Sequence, residues 1–163
     1  MPSTPVVSNT SPLINLAGVG RLDLLPQLYT DIWIPDLVLS EYRAKMAAGD
    51  PDLSIIPWLM VQSVAPDPSL RALRTLGVGE AAVITLAQMN NARLVILDDK
   101  LARHAARQRG LMVVGTLGVL LAAKQIGVLP AIKPVLDAMI GQGRRISSAL
   151  RDQVLRAAGE DMP

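Results

Sequence analysis

The sequence contains no cysteine, no phenylalanine and a single histidine among its 163 residues. The absence of cysteine excludes a disulfide scaffold, a thiolate nucleophile and cysteine-ligated zinc, and one histidine leaves no histidine cluster for zinc. Two Trp and two Tyr are the only aromatic rings. We therefore expect an aliphatic core, and we do not expect nucleic-acid binding by stacking of bases on aromatic side chains.

Long apolar runs are also missing. The longest run, Leu111 to Ala123, is interrupted by glycine and threonine and is well short of the ~20 residues that a membrane-spanning helix needs. The start of the chain, Met1 to Pro5, lacks the positive segment and apolar core of a signal peptide. We therefore expect a cytoplasmic protein with no membrane contact. A net charge of +2 permits an anionic partner but is too small to establish one.

The chain has the length of one domain, which we place at residues 1–163. Strand-like apolar runs at residues 6–7, 31–35, 55–64, 93–97 and 111–114 alternate with helical segments. This alternation predicts βαβ units with parallel strands. The expected fold class is α/β: a three-layer α/β/α sandwich around a mainly parallel sheet of four or five strands. Residues 130–163 depart from the alternation and predict a C-terminal helical extension, with helices at 133–141 and 147–158.

Polar side chains follow two of the predicted strands. Asn9 follows the first strand, and Asp98 and Asp99 follow the most strongly apolar one, while Glu80 begins the helix before that strand and Glu41 lies on an earlier helix. In open α/β sheets, ligands bind outside the carboxyl ends of the strands. Oxygen ligands without His or Cys suit Mg²⁺ or Mn²⁺. These five residues therefore predict a divalent-metal site that hydrolyses phosphodiesters.

Each of these residues also has a purely structural interpretation. Asp98 or Asp99 would cap the following helix, Glu80 would be favoured by the helix dipole, and Glu41 would be a solvated surface residue. Their joint placement favours the metal site. A phosphoacceptor signalling domain of flavodoxin-like shape is a further alternative, although that class expects its acidic pair after the first strand.

Basic residues on the helix after Asp99 are spaced to form a stripe. Lys100, Arg103, His104 and Arg107 fall at positions i, i+3, i+4 and i+7, so they share one face that begins beside the predicted metal site. We predict that Lys100, Arg103 and Arg107 bind substrate phosphates. An ordinary solvated helix face explains the same spacing.

The two C-terminal helices carry a second basic cluster and several apolar positions. Arg144, Arg145 and Arg151 form the cluster, whose target is RNA or an acidic neighbour. The apolar residues are Val135, Leu136, Met139, Ile140, Leu150, Val154 and Leu155. They predict a homodimer or an antitoxin contact, and packing of the helices back on the sheet is the alternative.

The order of these motifs resembles that of a PIN-domain protein. The resemblance rests on VVSNTSPLI at residues 6–14, IP at 34–35 leading to Glu41, GEAA at 79–82, ILDDKLAR at 96–103, GTLGVL at 115–120 and GRRIS at 143–147. More narrowly, the sequence resembles the branch of predicted nucleic-acid-binding proteins akin to toxin components of toxin-antitoxin pairs. The resemblance covers nearly the whole chain.

The resemblance implies a Mg²⁺- or Mn²⁺-dependent endoribonuclease that leaves 5′-phosphate and 3′-hydroxyl ends, with RNA as substrate and a cognate antitoxin as partner. The acidic positions of the family match Asn9, Glu41, Glu80 and the pair Asp98 and Asp99, of which we favour Asp98 as the main ligand.

The small hydroxyl residue of the family, expected at the substrate, matches Thr10 or Ser11. The sequence departs from the family at Asn9, where the usual residue is Asp. An amide oxygen still binds a hard cation, but it brings no negative charge and cannot act as a base. The alternative is therefore a module with weak or no catalysis that binds nucleic acid or an antitoxin.

Overall fold

The computed structural model describes residues 4–160. Two short segments lie outside the described residues. They are residues 1–3, part of the Met1 to Pro5 segment that was searched for a signal peptide, and residues 161–163, the end of the predicted helical extension. Between residues 4 and 160, no helix has the length and apolar character needed to cross a membrane.

Five parallel strands form one sheet in the described part of the chain. They are β1 (Val6–Ser8), β2 (Ile32–Pro35), β3 (Leu59–Gln62), β4 (Leu94–Ile96) and β5 (Val113–Val114), in the order β3-β2-β1-β4-β5. In the centre, Val7 pairs with Trp33 of β2 on one side and with Val95 of β4 on the other. This order differs from the 2-1-3-4-5 order of flavodoxin-like domains, so the flavodoxin-like fold of the phosphoacceptor alternative is excluded.

Helices cover both faces of the sheet. They are α1 (Thr10–Gly18), α2 (Leu24–Tyr29), α3 (Asp36–Lys45), α4 (Pro68–Arg71), α5 (Val78–Met89), α6 (Lys100–Gln108), α7 (Thr116–Gln125), α8 (Lys133–Gly141) and α9 (Ser148–Ala157). The chain moves from β1 to β2 in one direction and from β3 to β4 in the other, so right-handed crossovers place α1 and α2 opposite α5. The three-layer α/β/α sandwich is confirmed.

The core is aliphatic, as the composition predicts. The centre of α5, from Ala81 to Ala87, is buried because this helix packs against β1, β2 and β4. The one polar residue in that stretch, Thr85, is satisfied: its hydroxyl donates to the Ala81 carbonyl at 2.8 Å and accepts from the Asp67 amide at 2.9 Å. The second bond fixes the start of α4 to α5.

The first helix begins earlier than predicted. The sequence favours Ser11 as N-cap with Pro12 at the first helical position, whereas the N-cap is Asn9 and α1 begins at Thr10. The physical reason is that the Asn9 amide still belongs to the sheet, where it donates to the Ile96 carbonyl at 3.2 Å. Pro12 then lies in the first turn, where a missing amide hydrogen costs nothing. The four-residue α4 was not predicted.

The C-terminal helices pack on the same core. The buried positions are Val135, Leu136, Met139, Val154 and Leu155. Packing within one chain therefore explains most of the apolar pattern that suggested a dimer, and Ile140 and Leu150 are the exposed members. Glu160 fastens the helices, because its Oε2 accepts from Lys124 Nζ at 2.8 Å and from the Ile132 amide at 2.7 Å. The homodimer stays a prediction.

Candidate functional site

The predicted site residues lie at the carboxyl edge of the sheet, where the chain order reverses. From β1 the chain leads towards β2 and β3, and from β4 it leads towards β5 on the other side. Such a switch point opens a crevice in parallel sheets. Asn9 lies at this crevice between α1 and β4, and its side chain makes no capping hydrogen bond to α1. The buried Ser8 hydroxyl donates to the Asn9 carbonyl at 2.7 Å, which fixes the strand exit.

Glu80 is the third residue of α5 and carries an unsatisfied atom. A Cβ at Gly77, the N-cap of α5, would lie 3.2 Å from Glu80 Oε1, so the carboxylate reaches back to the cap. This is the return half of a capping box. The other oxygen, Oε2, is buried and has no hydrogen-bond partner among residues 4–160. A buried oxygen without a donor needs an explanation beyond the stability of the fold.

Glu80 also lies in a field of like charge. Burial raises the pKa of Glu80 above its ordinary value, the negative charges of Asp99 and Glu41 raise it further, and the Gly77 amide opposes them. The carboxylates of Glu41 on α3 and Asp99 at the β4–α6 junction therefore both act on Glu80 of α5. Like charges around a buried oxygen are relieved by protonation or by a bound cation.

Glu41 reaches this group because residue 79 is glycine. α3 buries Val38, Leu39 and Tyr42 and leaves Glu41 exposed beside them. A Cβ at Gly79 would lie 2.5 Å from Glu41 Oε2, a distance that no real Cβ contact adopts. Gly79 thus allows the Glu41 carboxylate to lie over the first turn of α5. The sequence showed this glycine beside Glu80 but gave no sign of its contact with Glu41.

The two aspartates after β4 have different surroundings. Asp99 is the N-cap of α6, and its Oδ2 accepts from the Ala102 amide at 2.8 Å, so the structural interpretation as a helix cap holds for this residue. Its side chain is exposed, and its charge reaches Glu80. Capping occupies one oxygen and leaves the other one available.

Asp98 accepts hydrogen bonds on both of its carboxylate oxygens. Oδ1 accepts from the Thr116 amide at 2.7 Å, and Oδ2 accepts from the Thr116 hydroxyl at 2.6 Å and from Asn15 Nδ2 at 2.8 Å. Asp98 therefore ties the end of β4 to the start of α7 and to the middle of α1. Asn15 and the buried Thr116 were not singled out from the sequence, although Thr116 belongs to the GTLGVL motif.

The carboxylates do not form one compact cluster. In the part of the chain that the structure describes, no three His, Asp or Glu side chains are grouped closely enough to hold a metal ion. Glu41, Glu80 and Asp99 share one electrostatic neighbourhood, while Asp98 is bound to α7. An all-oxygen set with one unpartnered buried oxygen fits a hard cation, provided that water or substrate oxygens complete its shell, as is usual for Mg²⁺.

The predicted basic stripe divides in the structure. Lys100, His104 and Arg107 are exposed on α6, whereas Arg103 is half-buried. Arg103 Nη1 donates to the Asp98 carbonyl at 3.1 Å, and its Nε is buried without a partner among residues 4–160. Arg103 and the exposed Ser11 both line a cavity of about 490 Å³. Binding of substrate by this set, and by the half-buried Thr10, stays a prediction.

Comparison with known proteins agrees with the fold. A family model described as DUF3368, a PIN domain, matches residues 5–160. Among solved structures, the chain is similar to a PilT N-terminus domain protein, SSO1118, from the hyperthermophilic archaeon Sulfolobus solfataricus P2, with 20% identity and a TM-score of 0.55 over 72% of this chain and 92% of that one. At this identity the similarity concerns the fold. No curated protein matches the chain. Since the family model spans almost its whole length, the chain belongs to the PIN domain family, whose members are usually nucleases.

Proposed function

We propose that this protein is a metal-dependent nuclease that hydrolyses RNA, with Glu41, Glu80 and Asp99 as its acidic centre. The observation that carries the proposal is the buried, unpartnered Oε2 of Glu80, a carboxylate on which the negative charges of Asp99 and Glu41 both act. Such an arrangement lowers the stability of the fold, because a buried charge without a partner is costly. A divalent cation at this point removes the cost and supplies a reason for the arrangement.

The residues of the centre have separate tasks. When bound, Mg²⁺ or Mn²⁺ would lower the pKa of a water molecule and neutralise charge on the phosphodiester. Glu80 presents a fixed oxygen because its other oxygen is held near the Gly77 cap. Glu41 adds an oxygen from α3 over the bare backbone of Gly79, and Asp99 adds one from a side chain already oriented by its capping bond.

We assign the ligand role in the aspartate pair to Asp99, which reverses our preference from the sequence. Both Asp98 oxygens already accept hydrogen bonds, one at Oδ1 and two at Oδ2, from Thr116 and Asn15, and these bonds position α7. Asp99 keeps one oxygen free and already acts on Glu80. In this assignment Asp98 is a positioning residue.

Asn9 is expected to limit the activity, because an amide in place of a carboxylate lowers the negative charge at the crevice. The test is cleavage of a labelled RNA in Mn²⁺ by wild type, Asn9→Asp and Glu80→Gln. We expect slow cleavage by wild type, faster cleavage by Asn9→Asp and none by Glu80→Gln. No cleavage by either of the first two would refute the enzyme proposal.

A second candidate is a PIN module that binds nucleic acid or an antitoxin without cleavage. It is favoured by Asn9 itself and by the lack of a compact three-carboxylate group among residues 4–160. This candidate predicts that RNA binds equally well in EDTA and Mn²⁺ and stays intact in both. Product analysis on a gel, run beside the binding assay, separates the two candidates.

The biological setting that we propose is the toxin component of a toxin-antitoxin pair, with a homodimer as the working form. It rests on the sequence resemblance and on membership of the PIN family. Induced expression should arrest growth, Glu80→Gln should relieve the arrest, and co-expression of a small neighbouring gene product should do the same. Light scattering tests the dimer, for which Ile140 and Leu150 are the exposed apolar residues of the C-terminal helices.

A further inference from the structure

A positively charged cavity lies beside the acidic centre, and the proposed chemistry does not use it. The cavity has a volume of about 490 Å³ and opens where β4 and β5 end. Three arginines line it: Arg103 from α6, and Arg144 and Arg145 from the connection between α8 and α9. Asp98 is the acidic residue of the lining, and its oxygens are already hydrogen-bonded to Thr116 and to Asn15. The positive charge therefore exceeds the negative charge in the cavity.

The three arginines form no ion pair with a carboxylate among residues 4–160. Arg21, Arg109 and Arg151, by contrast, are examples of arginines that do form such pairs. Arg103 contacts a neutral carbonyl, and its Nε is buried with no partner among the described residues. Guanidinium groups gathered without a counter-charge favour an anionic ligand.

The start of α7 contributes to the same cavity through Thr116, Leu117 and Gly118. The amides of Leu117 and Gly118 lie in the first turn, where no helical carbonyl is available to them. A Cβ at Gly115, the N-cap, would lie 3.0 Å from both Arg103 Nη1 and Asp98 Oδ1. Glycine at this position thus allows a guanidinium to lie against the positive end of a ten-residue helix.

We infer that this cavity binds one nucleotide of the RNA strand, with its phosphate on Arg103, Arg144 and Arg145. The lining also contains the apolar residues Met139, Ile146 and Leu150, which suit a ribose or a base edge. The volume lies in the range of small-ligand sites, roughly 300–1,000 Å³. Arginine forks match phosphate oxygens in pairs, which suits the phosphate of such a nucleotide.

The identity of the strand as RNA rests on the proposed function, but the site is testable without cleavage. The assay is fluorescence anisotropy of a labelled single-stranded RNA in EDTA. The variant Arg144→Ala/Arg145→Ala is compared with wild type and with Arg21→Ala/Arg93→Ala, which removes the same charge at the opposite edge of the sheet. We expect the cavity variant to bind roughly ten-fold more weakly, with a salt slope smaller by about 0.7, the value for one neutralised phosphate of a single strand.

Three results would overturn the inference. The first is wild-type affinity in the cavity variant, and the second is an equal loss in the matched control, which would indicate a general charge effect. The third is arginine-dependent binding of a poly-glutamate peptide with no binding of RNA, which would assign the surface to a protein partner. Circular dichroism checks that the variants are folded. The variant Arg144→Lys/Arg145→Lys keeps the positive charge but loses the paired geometry of the guanidinium groups. Its affinity for RNA should therefore lie between those of wild type and of Arg144→Ala/Arg145→Ala.

Failure of this inference is distinguishable from failure of the proposed function. Arginine-dependent RNA binding together with intact RNA in Mn²⁺ would support the cavity and refute the nuclease. Metal-dependent cleavage that Glu80→Gln abolishes, together with wild-type RNA affinity in the cavity variant, would do the opposite.

Discussion

Replacing Glu80 by glutamine is expected to stabilise the fold while abolishing metal-dependent cleavage. Oε2 of Glu80 is buried without a partner, and the carboxylate faces the charges of Glu41 and Asp99. Glutamine has nearly the same shape, carries no charge and can donate a hydrogen bond to either neighbour. An unsatisfied buried polar atom costs about 1–3 kcal/mol, so we expect a gain of about 1 kcal/mol. In a domain of this size, that gain raises Tm by about 2–4 °C.

The gain should depend on pH with a defined sign. The pKa of Glu80 is raised in the folded state, chiefly by burial, so the folded protein holds this proton more tightly than the unfolded chain does. Below the ordinary Glu pKa, the Glu80 side chain is protonated and the wild type does not carry the cost of a buried charge. The wild type loses stability as pH rises through the raised pKa of Glu80 in the folded state. The advantage of Glu80→Gln should be full at about pH 8 and should vanish near about pH 4.

Bound metal should make the wild type more stable than Glu80→Gln, which reverses the order of stability expected without metal. A cation that binds only the folded wild type adds about 1.4 kcal/mol when its concentration is ten times its Kd. Thermal unfolding by circular dichroism in EDTA and in Mn²⁺ measures both effects, with Asp152→Asn as a control for loss of an exposed carboxylate. A variant less stable than wild type in EDTA at about pH 8, or equal stabilisation of both proteins by Mn²⁺, would refute the reasoning.

Three further changes test the remaining structural assignments. Gly79→Ala places a methyl group against Glu41, and we expect reduced cleavage and weaker stabilisation by Mn²⁺ in thermal melts. Asp98→Asn deprives Thr116 of its charged acceptor, and urea unfolding should show a loss of about 1–3 kcal/mol. Burial alone would raise the pKa of Glu160, but its lysine and two α8 amides lower it overall, so Glu160→Gln should be less stable than wild type at neutral pH, and the difference should shrink as pH falls below the ordinary Glu pKa.

The fold was predictable because its signals are local. β4 is a continuous apolar run, most of α5 is apolar, and glycines mark the end of α8, whose bounds of 133–141 are as predicted. The predicted start of α1, at Pro12, was wrong by two residues, since the helix begins at Thr10. Its cap depends on a hydrogen bond from Asn9 to Ile96 of β4, which no pattern around Asn9 contains.

The site was predictable in composition but not in arrangement. Asp98 and Asp99 are neighbours with the same side chain, and the sequence gives no basis for dividing their roles. The division comes from Thr116, a partner 18 positions away from Asp98, and from the Ala102 amide near Asp99. Likewise, the role of Gly79 comes from its contact with the Glu41 carboxylate, which belongs to another helix. Contacts between distant segments cannot be read from local spacing.

The paired aspartates also explain how one strand end can serve two sites of opposite charge. Successive side chains at a strand end point in different directions, so Asp99 acts on the carboxylates of α3 and α5 while Asp98 holds the first turn of α7. Arg103 also donates a hydrogen bond to the Asp98 carbonyl. A substitution that weakens the hydrogen bonds of Asp98 should therefore disturb the basic cavity more than the acidic centre. Asp98→Asn should thus weaken RNA binding in EDTA and retain the Mn²⁺ response, and Asp99→Asn should do the reverse. Equal effects of the two changes on both measurements would mean that the cavity and the acidic centre are one site.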